Sequence, residues 1–429
     1  MRRLTIGICI AAGLIGCAPA APREDMNSIA ERYVKLVLKV GQHDKDFVDA
    51  YYGDPAWKPA GAALSLTELT GEAGLLRKQT SEARPGPSDD ELVRLRHDYL
   101  EKQLTAVEAR ILMLSGQKFS FDEEAGRLYD AKPPTMTAAD FQPVLDELGR
   151  LLPGQGPLLD RYEAFRKKYV IPTGKVDAVF RAAIDGCRSK TLEHLKLPAG
   201  ETFTVEYVKD KSWSAYNWYK GNFASVIQVN TDLPITIDRA IDLACHEGYP
   251  GHHVYNALLE QHLVRERGWV EFSVYPLFSP QSLIAEGTAN FGIEVAFPGE
   301  ARTKFERETL YPLAGLDPKT ADRFNAVLAA VDQLSYAGNE AARQYLNGQI
   351  DGAAASAWLQ KWALTPKDRA EQRVRFFDQY RSYVINYNFG KDLVRAYIEK
   401  RGGTIDRPDV RWQEFGRLLS SPRLPSGLR

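Results

Sequence analysis

Cysteine is scarce, with 4 in 429 residues, and that excludes a disulfide-dense scaffold. Net charge is nearly absent as well: 55 Lys and Arg against 56 Asp and Glu leave −1. With no basic run, the clustered cations that phosphate recognition needs are missing, so nucleic acid is not an expected partner. Apolar runs long enough to span a bilayer are absent, which excludes a multi-span membrane architecture. Internal repeats and low-complexity tracts are lacking too, which excludes solenoid and collagen-like chains. What remains, 44% hydrophobic and 26% charged, is the composition of a globular protein with a large core, built as one extended helical domain or two closely packed ones.

The start of the chain reads as a targeting segment. Met1-Arg2-Arg3 is a short basic opening, and Leu4 to Gly16 is an apolar stretch of signal-peptide length. Leu14-Ile15-Gly16-Cys17 resembles a bacterial lipobox, which implies cleavage before Cys17 and lipidation of its thiol. Residues 1–16 are then a lipoprotein signal peptide and 17–25 a lipidated tether. Ala18 resembles a signal for outer-membrane sorting, so the expected location is the bacterial cell envelope, lipid-anchored at the periplasmic face of the outer membrane. With Cys9 in the signal and Cys17 lipidated, Cys187 and Cys245 are left, and the expectation is two buried thiols, with a single bridge between them as the alternative.

From Asp25 to about Leu197 start signals recur, with Ser28/Glu31, Ser65/Glu68 and Ser88/Glu91 spaced as capping boxes. Residues 26–199 are therefore an N-terminal helical region. The strand patterns lie in the middle: Phe203, Val205 and Tyr207 alternate with polar residues, and Phe223 to Val229 is β-rich. Further helices are predicted to start near Thr236, Pro318, Ala353 and Pro366. The fold class is mainly α, with a small β-sheet preceding the active-site helix and residues 200–429 as the catalytic region.

Three of the 7 histidines crowd into His246-Glu247-Gly248-Tyr249-Pro250-Gly251-His252-His253. Two His on one helix with an adjacent Glu resemble the zincin motif, but that motif spaces its ligands four apart. In a straight helix six residues rotate about 600°, which puts His252 opposite His246, and seven place His253 roughly 10.5 Å along the axis. Pro250 removes the difficulty, because its ring collides with the carbonyl of His246 and forces a break. Pro250-Gly251 then reads as an insertion into the four-spaced motif, with His252 as the second ligand. His253 is the alternative ligand or a group behind it. Glu286, in Ala285-Glu286-Gly287-Thr288-Ala289-Asn290, is the candidate third ligand. Asn290 shares its helix face and is placed to orient a ligand, with Glu294 one turn further on.

Val254-Tyr255 after the His pair is similar to the pattern of thermostable carboxypeptidases and of angiotensin-converting-enzyme-like peptidases. The segments His-Glu-Gly-Tyr-Pro-Gly-His-His and Glu-Gly-Thr-Ala-Asn together resemble a bacterial domain-of-unknown-function family of zinc-dependent lipoproteins and peptidases. The match covers residues 200 to 400. The resemblance implies a multi-helical zincin-like, gluzincin fold with a Zn2+ site. It also matches Tyr387-Asn388-Phe389-Gly390 to the family's late Tyr-x-x-Gly.

Two imidazoles and one carboxylate leave an open zinc position that lowers the pKa of a water towards 7. Glu247 is the expected general base, and Tyr387 the expected oxyanion donor, with Tyr383 on the same face as its rival. Arg381 or Lys391 are candidates for a substrate carboxylate. Ala224 to Asn230 is a candidate edge strand for extended peptide, with Trp213, Trp218 and Tyr219 near it as pocket liners. The expected activity is hydrolysis of oligopeptides. The alternatives are a non-catalytic metal- or solute-binding lipoprotein and a zinc hydrolase of a non-peptide bond.

Overall fold

The structure, a computed structural model, describes residues 25–211, 213–232 and 234–429. The signal segment and Cys17, with the tether up to residue 24, lie outside them.

Among the described residues the chain is mainly helical with two small sheets. The N-terminal region runs α1 (Met26–Val40), β1 (Val48–Tyr51), α2 (Leu66–Glu82), α3 (Glu91–Leu114), α4 (Phe121–Tyr129), α5 (Ala138–Leu151), α6 (Leu158–Arg166) and α7 (Val176–Leu192). Three strands follow, β2 (Thr202–Val208), β3 (Ala215–Gly221) and β4 (Ala224–Asn230), and then α8 (Ile237–Leu243) and α9 (His252–Leu259). After β5 (Val274–Pro276) come α10 (Pro280–Ala296), α11 (Glu300–Phe305), α12 (Tyr311–Ala314), α13 (Ala321–Asp332), α14 (Tyr336–Leu346), α15 (Gly352–Trp362), α16 (Lys367–Tyr380), α17 (Ile385–Lys400) and α18 (Pro408–Leu419). No helix among the described residues is long and apolar enough to cross a membrane.

The start signals hold where the cap geometry is complete. Ser65 and Glu68 satisfy each other's backbone donors at the start of α2. Ser28 instead lies inside α1, and Asp90 rather than Ser88 caps α3, accepting the Leu92 amide. Ser120 with Glu123 and Thr137 with Asp140 form boxes that the sequence reading missed.

The three-stranded sheet has the order β2-β4-β3. Ala224–Asn230 is thus the middle strand and has no free edge, contrary to expectation. The reason is a tight turn: Asn222 and Phe223 both adopt positive φ, at 54° and 60°, and fold β3 back against β4. Tyr219 of β3 is buried with its hydroxyl 2.5 Å from Glu260, and Trp218 donates to Gln228. Neither is a free pocket liner.

One hydrophobic core runs through both halves, from Tyr33 and Phe121 to Phe291 and Phe377. β1 also pairs antiparallel with β5, some 220 residues on, so the N-terminal region helps to build the wall around α10. Cys187 and Cys245 are joined in a disulfide, with Cα atoms 5.6 Å apart, which corrects the expectation of two thiols. Both are fully buried, and helical spacing from α7 brings one against the other, a juxtaposition 58 residues apart that local pattern does not reveal.

Candidate metal centre

α8 does not continue through the histidine motif. Residues 244–248 wind into a π-helical turn, Tyr249 is extended, and α9 starts at His252, so the helix breaks where Pro250 requires it. Gly251 is obligatory: its amide donates to the Cys245 carbonyl at 3.0 Å, and a Cβ there would lie 1.8 Å from the His246 carbonyl oxygen. This backbone approach folds His252 back onto His246.

The two Nε2 atoms stand 3.1 Å apart. Glu286 Oε2, from the middle of α10, lies 3.3 Å from His246 Nε2 and 3.7 Å from His252 Nε2. These three atoms form a compact triangle with no side chain between them. Four tetrahedral ligands about 2.05 Å from one ion would be separated by about 3.3 Å, so the triangle has the size a single small cation needs. Glu286 Oε2 is buried without a hydrogen bond, the vacant lone pair a cation would fill. Its other oxygen, Oε1, accepts from Tyr383 at 2.8 Å.

α10 brings that carboxylate in because it crosses α17 at unusually close range. A Cβ on Gly287 would stand 2.6 Å from the Gly390 backbone. The glycines of Glu286-Gly287 and of Tyr387-to-Gly390 therefore meet, and this contact sets Tyr383 and Tyr387 beside Glu286. The Tyr387 ring is 5.7 Å from that of Tyr383, and the charges of Glu286 and Glu247 both raise the pKa of its hydroxyl, after the larger effect of burial.

Glu247 is 5% exposed. Burial pushes its carboxyl upward against the pull of His246 and His252. The edge strand β3 fixes its backbone, with Asn217 Nδ2 donating to its carbonyl at 2.7 Å. Burial would lower His252, but the Glu286 carboxylate, with the charges of Glu247 and Asp49, carries it up to about 9. Glu286 is held well below the usual carboxylate range by the two imidazoles, although burial opposes this.

Several expected residues are elsewhere. His253 is fully buried on the opposite side of the turn, with Nε2 3.0 Å from Glu201 and Nδ1 2.9 Å from Ser225, so it is neither a ligand nor a support for one. One residue along α9 rotates a side chain by about 100°, enough to send it to the back. Asn290 donates to the carbonyls of Glu286 and Tyr387, tying helices together rather than orienting an imidazole. Glu294 pairs with Arg395. Arg381 pairs with Glu124 and Lys391 with Asp332, so both are neutralised within the protein. A second histidine–carboxylate group, His97, Asp98 and Glu101, is closed off by bonds of His97 to Thr80 and of Glu101 to Arg84.

Sequence reasoning missed Asp49. It is half-buried on β1, its carboxylate accepts from Tyr216 of β3, and it interacts electrostatically with His252, Glu286 and Glu247. Only the short β-rich run around Val48 and Tyr51 hinted at a strand there, and its partner β5 is distant in sequence.

No family model and no curated protein matches the sequence. Among the solved structures that match the chain are two bacterial proteins. A presumptive lipoprotein from Colwellia psychrerythraea aligns with TM-score 0.50 at 13% identity, over 85% of this chain and 62% of that one. A presumptive lipoprotein of unknown function from Shewanella oneidensis aligns with TM-score 0.45 at 13% identity, over 82% of this chain and 72% of that one. The chain thus spans less than two thirds of the length of the Colwellia protein, and at this identity the likeness extends to the fold alone.

Proposed function

We propose that this chain is a lipid-anchored, zinc-dependent hydrolase of the bacterial cell envelope, with a zincin-like catalytic region that cleaves peptide bonds. The observation that carries this reading is the convergence of His246, His252 and Glu286 on one point, with Glu286 Oε2 buried and lacking a hydrogen bond. Structural zinc sites are closed by four protein ligands, whereas three leave a position open for chemistry. Zinc in this donor set supplies a Lewis acid that brings the pKa of a water towards neutrality.

The chain's own residues do the rest. Glu247, next to His246 in sequence and buried beside the donors, takes the proton of the attacking water and delivers it to the leaving amine. Tyr387 donates to the oxygen that gains charge at the scissile carbonyl. Tyr383 holds Glu286 in place through Oε1. Support for the envelope location comes from the lipobox-like leader and from the buried Cys187–Cys245 disulfide, which suits an oxidising compartment.

Glu247→Gln keeps the donor set and removes the base. The expected result is full zinc uptake with loss of chelator-sensitive cleavage of a mixed peptide library, by on the order of a hundredfold or more. Wild-type turnover in that variant would overturn the assignment of the base. Zinc uptake by wild type with no cleavage would move the reading to a non-peptide bond or a binding role.

A further inference from the structure

Cys245 lies inside the π-helical turn 244–248, one residue before the donor His246. Its carbonyl accepts the Gly251 amide at 3.0 Å, the contact that folds His252 back onto His246. The bond to Cys187 therefore holds the residue on which the approach of both imidazoles depends.

The two bonded partners differ in stiffness. Cys187 stands within α7 between the buried Ala183 and Thr191, and the Thr191 hydroxyl donates to its carbonyl at 2.8 Å. Cys245 sits where α8 gives way to a π segment and then to the extended Tyr249, so no unbroken helical ladder braces it. On the far side of the turn Pro250 meets α10, where a Cβ on Gly292 would come within 3.0 Å of its ring. The same helix carries Glu286, the third donor. The turn is thus wedged between α7 and the helix that completes the site.

Sulfurs that are not bonded keep van der Waals distance, about 1.5 Å wider than bonded ones. Both cysteines are 0% exposed in a close-packed core, so the extra width of two thiols has to come from the backbone. The softer partner yields, and that is the turn. A metal centre tolerates misplacement of a ligand by only about 0.5 Å.

We propose that the Cys187–Cys245 bond gates the metal site: with the two cysteines as thiols His246, His252 and Glu286 stand out of register, and oxidation brings them to the spacing of the folded chain. This rests on the metal reading above. In the oxidation each thiol gives up a proton, and the pair passes two electrons to a disulfide oxidant, whose own bond is reduced to two thiols as the Cys187–Cys245 bond forms. A chain in a reducing compartment then stays without zinc, and hydrolysis begins only where disulfides persist.

Zinc affinity of the full chain, measured by competition with a chromogenic chelator, tests this in three states: oxidised, refolded in a phosphine reductant, and reoxidised. Circular dichroism follows the fold. Co2+ absorption follows the ligands, because a thiolate ligand adds an intense near-ultraviolet band that imidazole and carboxylate lack. Reduction is expected to weaken zinc by on the order of tenfold or more with the helical signal retained, and reoxidation to restore it. Joint replacement by Cys187→Ala and Cys245→Ala removes the bond without adding width, and its zinc affinity should fall between those of the oxidised and reduced forms. Equal affinity of the oxidised and reduced chains would overturn the gate and leave the metal site standing. A thiolate band in the reduced chain would overturn it too, because the freed sulfurs would then be ligands. Loss of the helical signal in both the reduced chain and the double variant would also overturn it, since the bond would then hold the fold rather than the site. Failure of the oxidised chain to take up zinc would sink the metal reading and the gate with it.

Discussion

Two histidine–carboxylate groups lie on opposite sides of one turn of chain, and they differ in what their oxygens meet. Behind the turn, Glu201 receives His253 Nε2 at 3.0 Å, Tyr249 at 2.5 Å and Arg188 at 2.9 Å, while Ser225 occupies the other ring nitrogen of His253. Both oxygens of Glu201 and both ring nitrogens of His253 have a protein partner there. In front, His246, His252 and Glu286 point at one another, and Glu286 Oε2 is left without a hydrogen bond. The same residue types, adjacent in sequence, thus make a saturated strut on one side and an open donor set on the other. Saturation, more than residue identity, separates structure from function here.

The sharpest way to break this comparison is to exchange the roles of the adjacent histidines. His252→Ala removes one of three donors and is expected to weaken zinc by on the order of a thousandfold. His253→Ala should retain zinc and lose about 2–3 kcal/mol of stability, because Glu201 and Ser225 lose a buried partner. Zinc titration and denaturant unfolding of both variants decide the matter. Loss of zinc in His253→Ala alone would reverse the assignment.

The disulfide serves the back of the turn as well, since it ties α7 to the residue before His246. Closing a loop of 58 residues is worth about 4 kcal/mol in chain entropy. Replacing Cys187 and Cys245 together by Ala should lower stability by up to that amount, read as a shift in denaturant midpoint against wild type. An unchanged midpoint would show that packing alone holds the turn.

Much of this was legible in the sequence, and the failures have physical reasons. Pro250 dictates a break at a known carbonyl, so the pairing of His246 with His252 followed from sterics. Glu286-Gly287 and Gly390 were readable as motifs, though their mutual contact was not. The cysteine pairing, the β1–β5 ladder and Asp49 all depend on partners 58 to more than 200 residues away, and no local periodicity encodes such distances. The edge-strand expectation failed because the aromatic run Trp213 to Tyr219 reads as pocket lining while its backbone forms one of the two edges, β3.

On the open side, Tyr383 is the one neighbour among the described residues whose side chain bonds Glu286. Tyr383→Phe frees Glu286 Oε1 and should weaken zinc by about ten- to a hundredfold, as loss of an outer partner does elsewhere. Zinc affinity equal to wild type would show that helix packing at Gly287 and Gly390 suffices to aim the carboxylate.

The smallest effect per step comes from protons. In the metal-free protein His252 titrates near 9, raised by Glu286 against the opposing effect of burial, while Glu286 stays ionised far below neutrality. A metal ion accepts only the neutral imidazole, so below pH about 9 its binding must expel the His252 proton. Apparent zinc affinity should therefore rise about tenfold for each pH unit from 6 to 8 and level off above 9. Burial also raises Glu247, next to His246, so Glu247→Gln isolates the histidine contribution at about one proton per zinc. Calorimetry in two buffers of different ionisation enthalpy counts that proton directly. A slope near zero in Glu247→Gln would mean that His252 is already neutral before metal arrives.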